Sequence, residues 1–481
     1  MSAPLIWIGI PLIAAGLLFL LRELRLFVFI FGLLLSSWLW ITAWLLPIGE
    51  VVTVGGRTIR IIESFSILGR EFILLNTDRG LLVLVYFALM IWILGDWFAR
   101  PGTAFIPFAI SLTALLVAAL AVEPFLYAAL LIEICVLLAI PILSPPHQIP
   151  GRGVFRFLAF QTLGMPFILL AGWFLAGLEA SPGQSGLVLR AGLLIGIGLS
   201  FLLALVPFHS WVPQLAEESH PYTAGFLLFL FPAMISIFGM GFLDRFIWLR
   251  ESEVVYFGLR VVGVLMLLVG GTWGAVEKHL GRSLGHIALA ETGIGLLAVG
   301  IGSSQGVLLF FWLMLVRVVS YVPLAAGVSM MMEKNEGTLR LDRLQGKGHQ
   351  MPLIAGIVII AQFSIVGVPL LVGFSARLAL WRVLASVAPL IAGAALLGNI
   401  GLLVGAVRSL NDLFIPFDGD PSRVDTSGGI MAQDGVLVSE RLLEWTVYAV
   451  LVFSVTLFSL FPQVYLPWVE KILLMFERIG G

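Results

Sequence analysis

Between two long apolar runs stands LALVPFHSWVPQLAEESHPYTAG, Leu203 to Gly225, which carries Pro207, Pro213 and Pro221, His209 and His220, and the adjacent acids Glu217 and Glu218. A proline removes a backbone donor and clashes with the carbonyl four residues back. Pro207 and Pro213 therefore predict a helix broken around His209 and Trp211. Polar residues of this kind are costly at membrane depth and mark a use there. The flanking sequence decides whether a membrane is the setting.

The chain has 481 residues, of which 60% are hydrophobic and 11% charged, and its mean hydropathy is +1.08. An ordinary soluble protein is about 25% charged. Apolar runs of about 18 to 25 residues, each enough to cross a hydrocarbon core roughly 30 Å thick, recur along nearly the whole length. They predict an all-α polytopic membrane protein of about fourteen transmembrane helices. The spans lie near 4-21, 26-47, 78-97, 103-121, 124-144, 155-178, 186-206, 222-243, 255-275, 284-302, 305-331, 352-380, 386-407 and 443-462. No soluble domain is left over. The first run lacks a basic leader and a small-residue cleavage site, and reads as a retained helix.

Basic residues gather in alternate short loops: Arg22 and Arg25, Arg152 and Arg156, Lys278 and Arg282, then Lys334, Arg340, Arg343 and Lys347. By the positive-inside rule these loops face the cytoplasm of a cell membrane and the N-terminus lies outside. The stretch from about 48 to 77, of mixed charge, then reads as an outer loop.

The single cysteine, Cys135, sits in an apolar run, which excludes an internal disulfide, a multi-cysteine zinc site and a self-contained iron-sulfur cluster. Glycine-rich nucleotide-binding patterns are missing too. No cofactor, metal or nucleic-acid partner is expected. Uphill movement of a solute would draw on an ion gradient or on a partner protein.

A second break is written in IVGVPLLVGFSAR, Ile365 to Arg377, where Gly367, Pro369 and Gly373 interrupt one apolar run. Two distant breaks in similar surroundings are typical of transporters built from internal repeats with discontinuous helices at the transport site. The polar stretch from Arg408 to Glu440 reads as a water-exposed loop, and PWVEKILLMFERIGG at the C-terminus as an interfacial amphipathic helix.

Ionisable residues inside the spans are candidate functional groups. Glu133 lies mid-run with no basic residue within a helical turn, so its partner must come from another helix. Either it serves proton transfer or it is a neutral acid bonded to a neighbouring backbone or hydroxyl group. Arg317 and Arg377 keep their charge and can set a field or hold a carboxylate, with snorkelling to the interface as the alternative for Arg377. Glu291 follows His286 by five residues, a spacing that does not stack them on one helix face, and an interfacial cluster with Lys278 and Arg282 competes with a relay. His209 and His220 are relay candidates or helix caps. The four lysines, Lys278, Lys334, Lys347 and Lys471, all fall at loops or helix edges.

VPFHSWVPQLAEESHPYTAG resembles the signature of the antiporter-like membrane subunits of respiratory complex I. LIEICVLLAIPIL with Glu133, LGHIALAETGIG, GKGHQMPLIAG and VGVPLLVGFSAR stand in the expected order across most of the chain. The wider family includes Mrp-type sodium/proton antiporters and membrane-bound hydrogenases. The resemblance implies two inverted five-helix repeats, each with one broken helix. It divides the chain into N-terminal helices (1-100), a first repeat (101-250), a second repeat (251-408) and a C-terminal part (409-481).

It also matches Glu133 to the family's glutamate, Arg317 to a lysine in the helix before the second break and Arg377 to the distal Lys/Glu. With His209 and Glu291 as candidates for water wires these form the expected proton pathway, although Glu291 stands where the family usually has His, Gln or a small polar residue. Departures are clear. Leu202 stands where the family keeps a lysine seven residues before the signature histidine, Met234 where it keeps a central lysine, and Gln214 where it keeps an aspartate. Leucine and methionine cannot exchange a proton. The resemblance implies a membrane-arm subunit of a complex I-like NADH:quinone oxidoreductase that helps translocate protons or sodium among other membrane-arm subunits in the bilayer. The alternatives are a lysine-depleted scaffold of such an arm, or a subunit of an Mrp-type antiporter or membrane-bound hydrogenase.

Overall fold

The computed structural model describes residues 2–54, 57–67, 69–144, 150–180, 185–415, 461–476 and 478–479. Helices dominate them. The chain opens on a π-helical turn, Leu5–Gly9, that runs into α1 (Ile10–Leu20), then α2 (Arg25–Leu45), α3 (Arg79–Ala99), α4 (Phe105–Ala121), α5 (Ala128–Leu143) and α6 (Arg152–Ala180). There follow α7 (Ser185–Leu202), α8 (Trp211–Glu218), α9 (Pro221–Arg245), α10 (Ile247–Arg250), α11 (Glu253–Val276), α12 (Leu280–Val299) and α13 (Ser304–Lys334). The last described are α14 (Leu341–Leu344), α15 (Pro352–Val366), α16 (Gly373–Val387), α17 (Pro389–Phe414) and α18 (Pro462–Ile472).

Eight helices among the described residues are long and apolar enough to cross a membrane, and four shorter apolar ones accompany them. Every expected span up to 386-407 meets a helix; the one near 443-462 lies outside the described residues. The long outward-facing helices are fatty on their exposed sides, as Leu20, Leu34, Trp173 and Leu390 show. α9 and α13 run through the middle, and each has 83% of its most apolar window buried. In a bilayer such all-round apolarity marks the centre of a bundle.

The segment from 48 to 77 is not a plain loop. β1 (Val51–Val54) pairs antiparallel with β2 (Arg57–Arg60), and β3 (Ser64–Ile67) with β4 (Arg70–Ile73), whose other edge takes β5 (Val122–Glu123). Alternating Val, Thr, Ile and Phe around tight turns suit short strands outside the apolar spans. At the same end Arg245 meets Glu123 at 3.0 Å and the Arg478 amide donates to Asp244 at 3.1 Å. This is the hairpin end. The expected basic loops collect at the opposite, basic end, where Arg282 meets Glu217 at 2.7 Å, Arg100 meets Glu333 at 3.3 Å and Arg156 donates to Gln214 at 2.9 Å.

Two expectations need correction. The stretch from Arg408 does not leave the helix at once: α17 continues to Phe414, with Arg408 and Asp412 paired one turn apart at 3.7 Å. The rest of that polar stretch lies outside the described residues. α18 is amphipathic, but its apolar side packs on protein: Val469 and Ile472 are buried, and Phe476, at the end of the 3-10 turn that follows, stacks on Phe311 of α13 at 6.0 Å.

Candidate functional site

Both predicted breaks are present. α7 stops at Leu202, and Leu203–Ser210 pass in turns to the one- to two-turn α8; α15 stops at Val366, and Gly367–Val372 lead to α16. Gly367 ends α15 in the left-handed region, φ 85°, which glycine adopts without steric cost. A Cβ at Gly373 would collide with the Ser364 carbonyl oxygen, so only glycine lets α16 start so close to α15.

A broken helix leaves a carbonyl that has lost its amide partner, and inside a membrane another group must satisfy it. Both breaks solve this alike. Gln161 of α6 donates its Nε2 to the Leu202 carbonyl at 3.0 Å; Asn399 of α17 donates its Nδ2 to the Val366 carbonyl at 3.1 Å.

Beyond that shared device the second break is charged. Asn399 accepts from Arg377 at 2.7 Å through its other amide atom, and the same guanidinium is ion-paired to Glu291 of α12. The side chains of Arg377 and Glu291 are only 4% and 6% exposed. Arg377 therefore does not snorkel, and Glu291 joins no cluster with Lys278 and Arg282. A buried pair of this kind holds because extra hydrogen bonds complete it.

Arg317 of α13 is buried close by. Its guanidinium donates to the Leu228 carbonyl at 2.7 Å and lies over the rings of Tyr321 and Phe229, at 5.5 and 5.7 Å. That carbonyl is free because Pro232, four residues on in α9, has no N–H to offer it. Arg317, Glu291, Thr292 and Ser236 line one cavity of about 20 Å³. One carboxylate thus faces two fixed cations in the middle of the bundle.

At the basic end a vestibule of about 860 Å³ opens between α8, α11 and α12, with His209, His286, Glu277 and Arg282 on its walls. His286 Nε2 stands 3.5 Å from Glu277 Oε2. Burial opposes the charge of Glu277, but the hydrogen bonds from His286 and the Lys278 amide and the charge of Arg282 outweigh it and hold this carboxyl below its ordinary value. His209 joins the vestibule and not the buried ion pair. His220 is the cap of α9, accepting from the Tyr222 amide at 3.3 Å, and burial pushes it down to about 4.

Glu133 stands apart from all of these. It is half-buried on α5, accepts from Thr162 of α6 at 2.8 Å, and has no cation within ion-pair distance among the described residues. Leu202 and Met234, where the resemblance expects lysines, are packed in the core at 3% and 1% exposure. Sequence reading missed Asn399, Gln161 and the Glu277–His286 contact. Asn399 and Gln161 are single amides in apolar runs, and only the folded breaks show what they bind.

Residues 174–401 match the family model described as NADH:quinone oxidoreductase/Mrp antiporter, TM. Among curated proteins, the NADH-quinone oxidoreductase subunit N of Rhodospirillum rubrum is 26% identical over 194 residues, 39% of each chain. That of Salinispora arenicola is 29% identical over 214 residues, 43% of this chain and 40% of its own. The chain thus spans about two fifths of the length of these relatives.

Solved structures match it from end to end. A chain of the membrane-bound sulfane sulfur reductase, an archaeal respiratory membrane complex, superimposes with a TM-score of 0.79 at 15% identity, covering 100% of this chain and 98% of that one. One of the Mrp complex from Dietzia sp. DQ12-45-1b gives 0.74 at 17%, over 100% and 99%. One of respiratory complex I from Thermus thermophilus gives 0.72 at 20%, over 99% and 100%. The resemblance read from the Val206–Gly225 signature is borne out, and with it the multi-pass antiporter-like fold.

Proposed function

We propose that this chain, whose residues 174–401 carry the NADH:quinone oxidoreductase/Mrp antiporter transmembrane domain, is a membrane-arm subunit of a complex I-like NADH:quinone oxidoreductase in a prokaryotic cell membrane. There it contributes to redox-driven proton translocation with the other membrane-arm subunits. The sequence relatives named subunit N support the assignment to that kind of complex. The basic end faces the cytoplasm.

The observation that carries translocation is the buried Glu291–Arg377 pair, tied through Asn399 to the end of the broken helix α15 and flanked by Arg317. Arginines stay protonated, so Glu291, His209 and Glu133 are the members of the pathway that can exchange protons, while Arg317 and Arg377 set the field. The vestibule brings water from the basic end to His209 and His286. Changing Glu291 to Gln in the native complex, reconstituted in vesicles, should abolish this subunit's share of proton translocation while the complex still assembles. Unchanged protons per electron would overturn the reading.

A second reading is favoured by the packing of Leu202 and Met234: a scaffold that holds pumping subunits in place. On that reading Glu291→Gln and Glu133→Gln both leave translocation intact, and only loss of the chain disrupts the arm. Proteomics of the purified complex would separate these from an Mrp-type or hydrogenase assembly, and a sodium-dependence assay would identify the ion.

A further inference from the structure

At the second break the acceptor atom of Asn399 receives the Arg377 guanidinium. At the first break the equivalent atom, Gln161 Oε1, is buried without a hydrogen-bond partner among the described residues, and Gln161 itself is only 1% exposed. The Nε2 bond to Leu202 fixes which way this amide points. A buried acceptor left unpaired costs about 1–3 kcal/mol, so a partner is called for.

Gln161 lines a cavity of about 20 Å³ enclosed by Leu202, Ala204, Leu228 and Pro232. Trp211 also lines it, and its Nε1 is a second buried polar atom with no partner among the described residues. One orphan is an acceptor and the other a donor. Thr292 completes the wall; its hydroxyl donates to the Ala288 carbonyl at 2.8 Å and keeps lone pairs that can accept. A cavity needs roughly 10–15 Å³ and two to four polar partners to hold a water.

We propose that Gln161, Trp211 and Thr292 form a hydration site, and that the water there occupies at the first break the bonding place that Arg377 occupies at the second. The Trp211 indole donates to it, and it donates to Gln161 Oε1 and to the Thr292 hydroxyl. Thr292 and Pro232 also line the Glu291–Arg317 cavity, so this water stands on the boundary between the two halves. It links them at the site where Leu202 offers no polar group. Gln161 and Trp211 are positioning residues; the second clause of the proposal, the link, rests on the translocation reading above.

The test uses the native complex, with cryo-electron microscopy at a resolution that shows ordered waters and proton translocation per electron in vesicles. Trp211→Phe keeps an aromatic ring facing Phe157, 5.3 Å away between ring centres in the parent, while it removes the N–H donor and shortens the side chain. The expected result is ordered density within hydrogen-bond distance of Gln161 and Trp211 in the parent, its loss in Trp211→Phe, and a lower proton-to-electron ratio in the variant. A dry cavity in the parent overturns the site. Density with an unchanged ratio in Trp211→Phe, in a complex where Glu291→Gln does lower the ratio, overturns the link. If Glu291→Gln leaves the ratio unchanged, the translocation reading fails, while the density still decides the hydration site.

Discussion

The two breaks share a backbone device and differ in what fills them. Each ends its helix on a carbonyl taken by a side-chain amide from a neighbouring helix, Gln161 at Leu202 and Asn399 at Val366. Around the second stand Glu291, Arg377 and Arg317; around the first stand Leu202, Leu203, Trp211 and Phe157. Discontinuous helices are therefore not charged by necessity. The break supplies polar backbone at membrane depth, and the side chains decide whether it is surrounded by buried charge or by neutral groups.

The widest gap between the halves should open when the ion pair is cut. Arg377→Met strips the buried Glu291 of its ion-pair partner and leaves only Arg317 nearby, and breaking such a pair costs about 3–5 kcal/mol. Thermal unfolding of the purified complex, followed by loss of this chain, should show it. Adding Glu291→Leu to Arg377→Met should recover most of the loss, because it removes the stranded charge. A double variant as unstable as the single one would mean that the pair is not what holds this region.

Next come the two amides. Asn399→Leu strips the Val366 carbonyl and one bond to a buried guanidinium, whereas Gln161→Leu strips the Leu202 carbonyl and an acceptor for a neutral water. A hydrogen bond to a charged group is worth about 1.5–3 kcal/mol, against roughly 1 for a neutral one. Asn399→Leu should therefore lower the unfolding midpoint more than Gln161→Leu does. Equal effects would erase the distinction between a charged and an uncharged break.

Most of the fold was legible because its signals are local. Apolar run lengths placed the spans, and Pro207, Pro213, Gly367 and Pro369 placed the breaks to within a turn. Partnership was not legible. Arg377 could snorkel or pair, and only the approach of α12 to α16 brings it onto Glu291. Pro232 is visible in the sequence, but that the carbonyl it frees on Leu228 would anchor Arg317, 89 residues away, depends on the crossing of α9 and α13. The strands at 51–73 were hidden by a mixed charge pattern that reads equally well as an outer loop. Glu133 was read correctly as lacking a nearby base, and its partner proved to be the hydroxyl of Thr162 on the next helix.

The smallest difference concerns the helix that follows each break region, and it is read by pH. His220 begins α9 as a neutral cap, with its pKa pushed down by burial to about 4, whereas α17, after the second break, begins at Pro389 with no side-chain cap. The unfolded chain binds a proton at His220 near pH 6.5 and the folded chain does not, so stability rises with pH through this window. The contribution is full above about pH 6.5 and is lost as pH falls toward 4; at pH 6 the loss is on the order of 1 kcal/mol. His220→Asn should keep a capping acceptor for the Tyr222 amide while removing the titration. The unfolding midpoint of that variant should fall less than the parent's between pH 7.5 and pH 6. Parallel pH profiles would show that His220 is protonated in the folded chain and caps α9 in some other way.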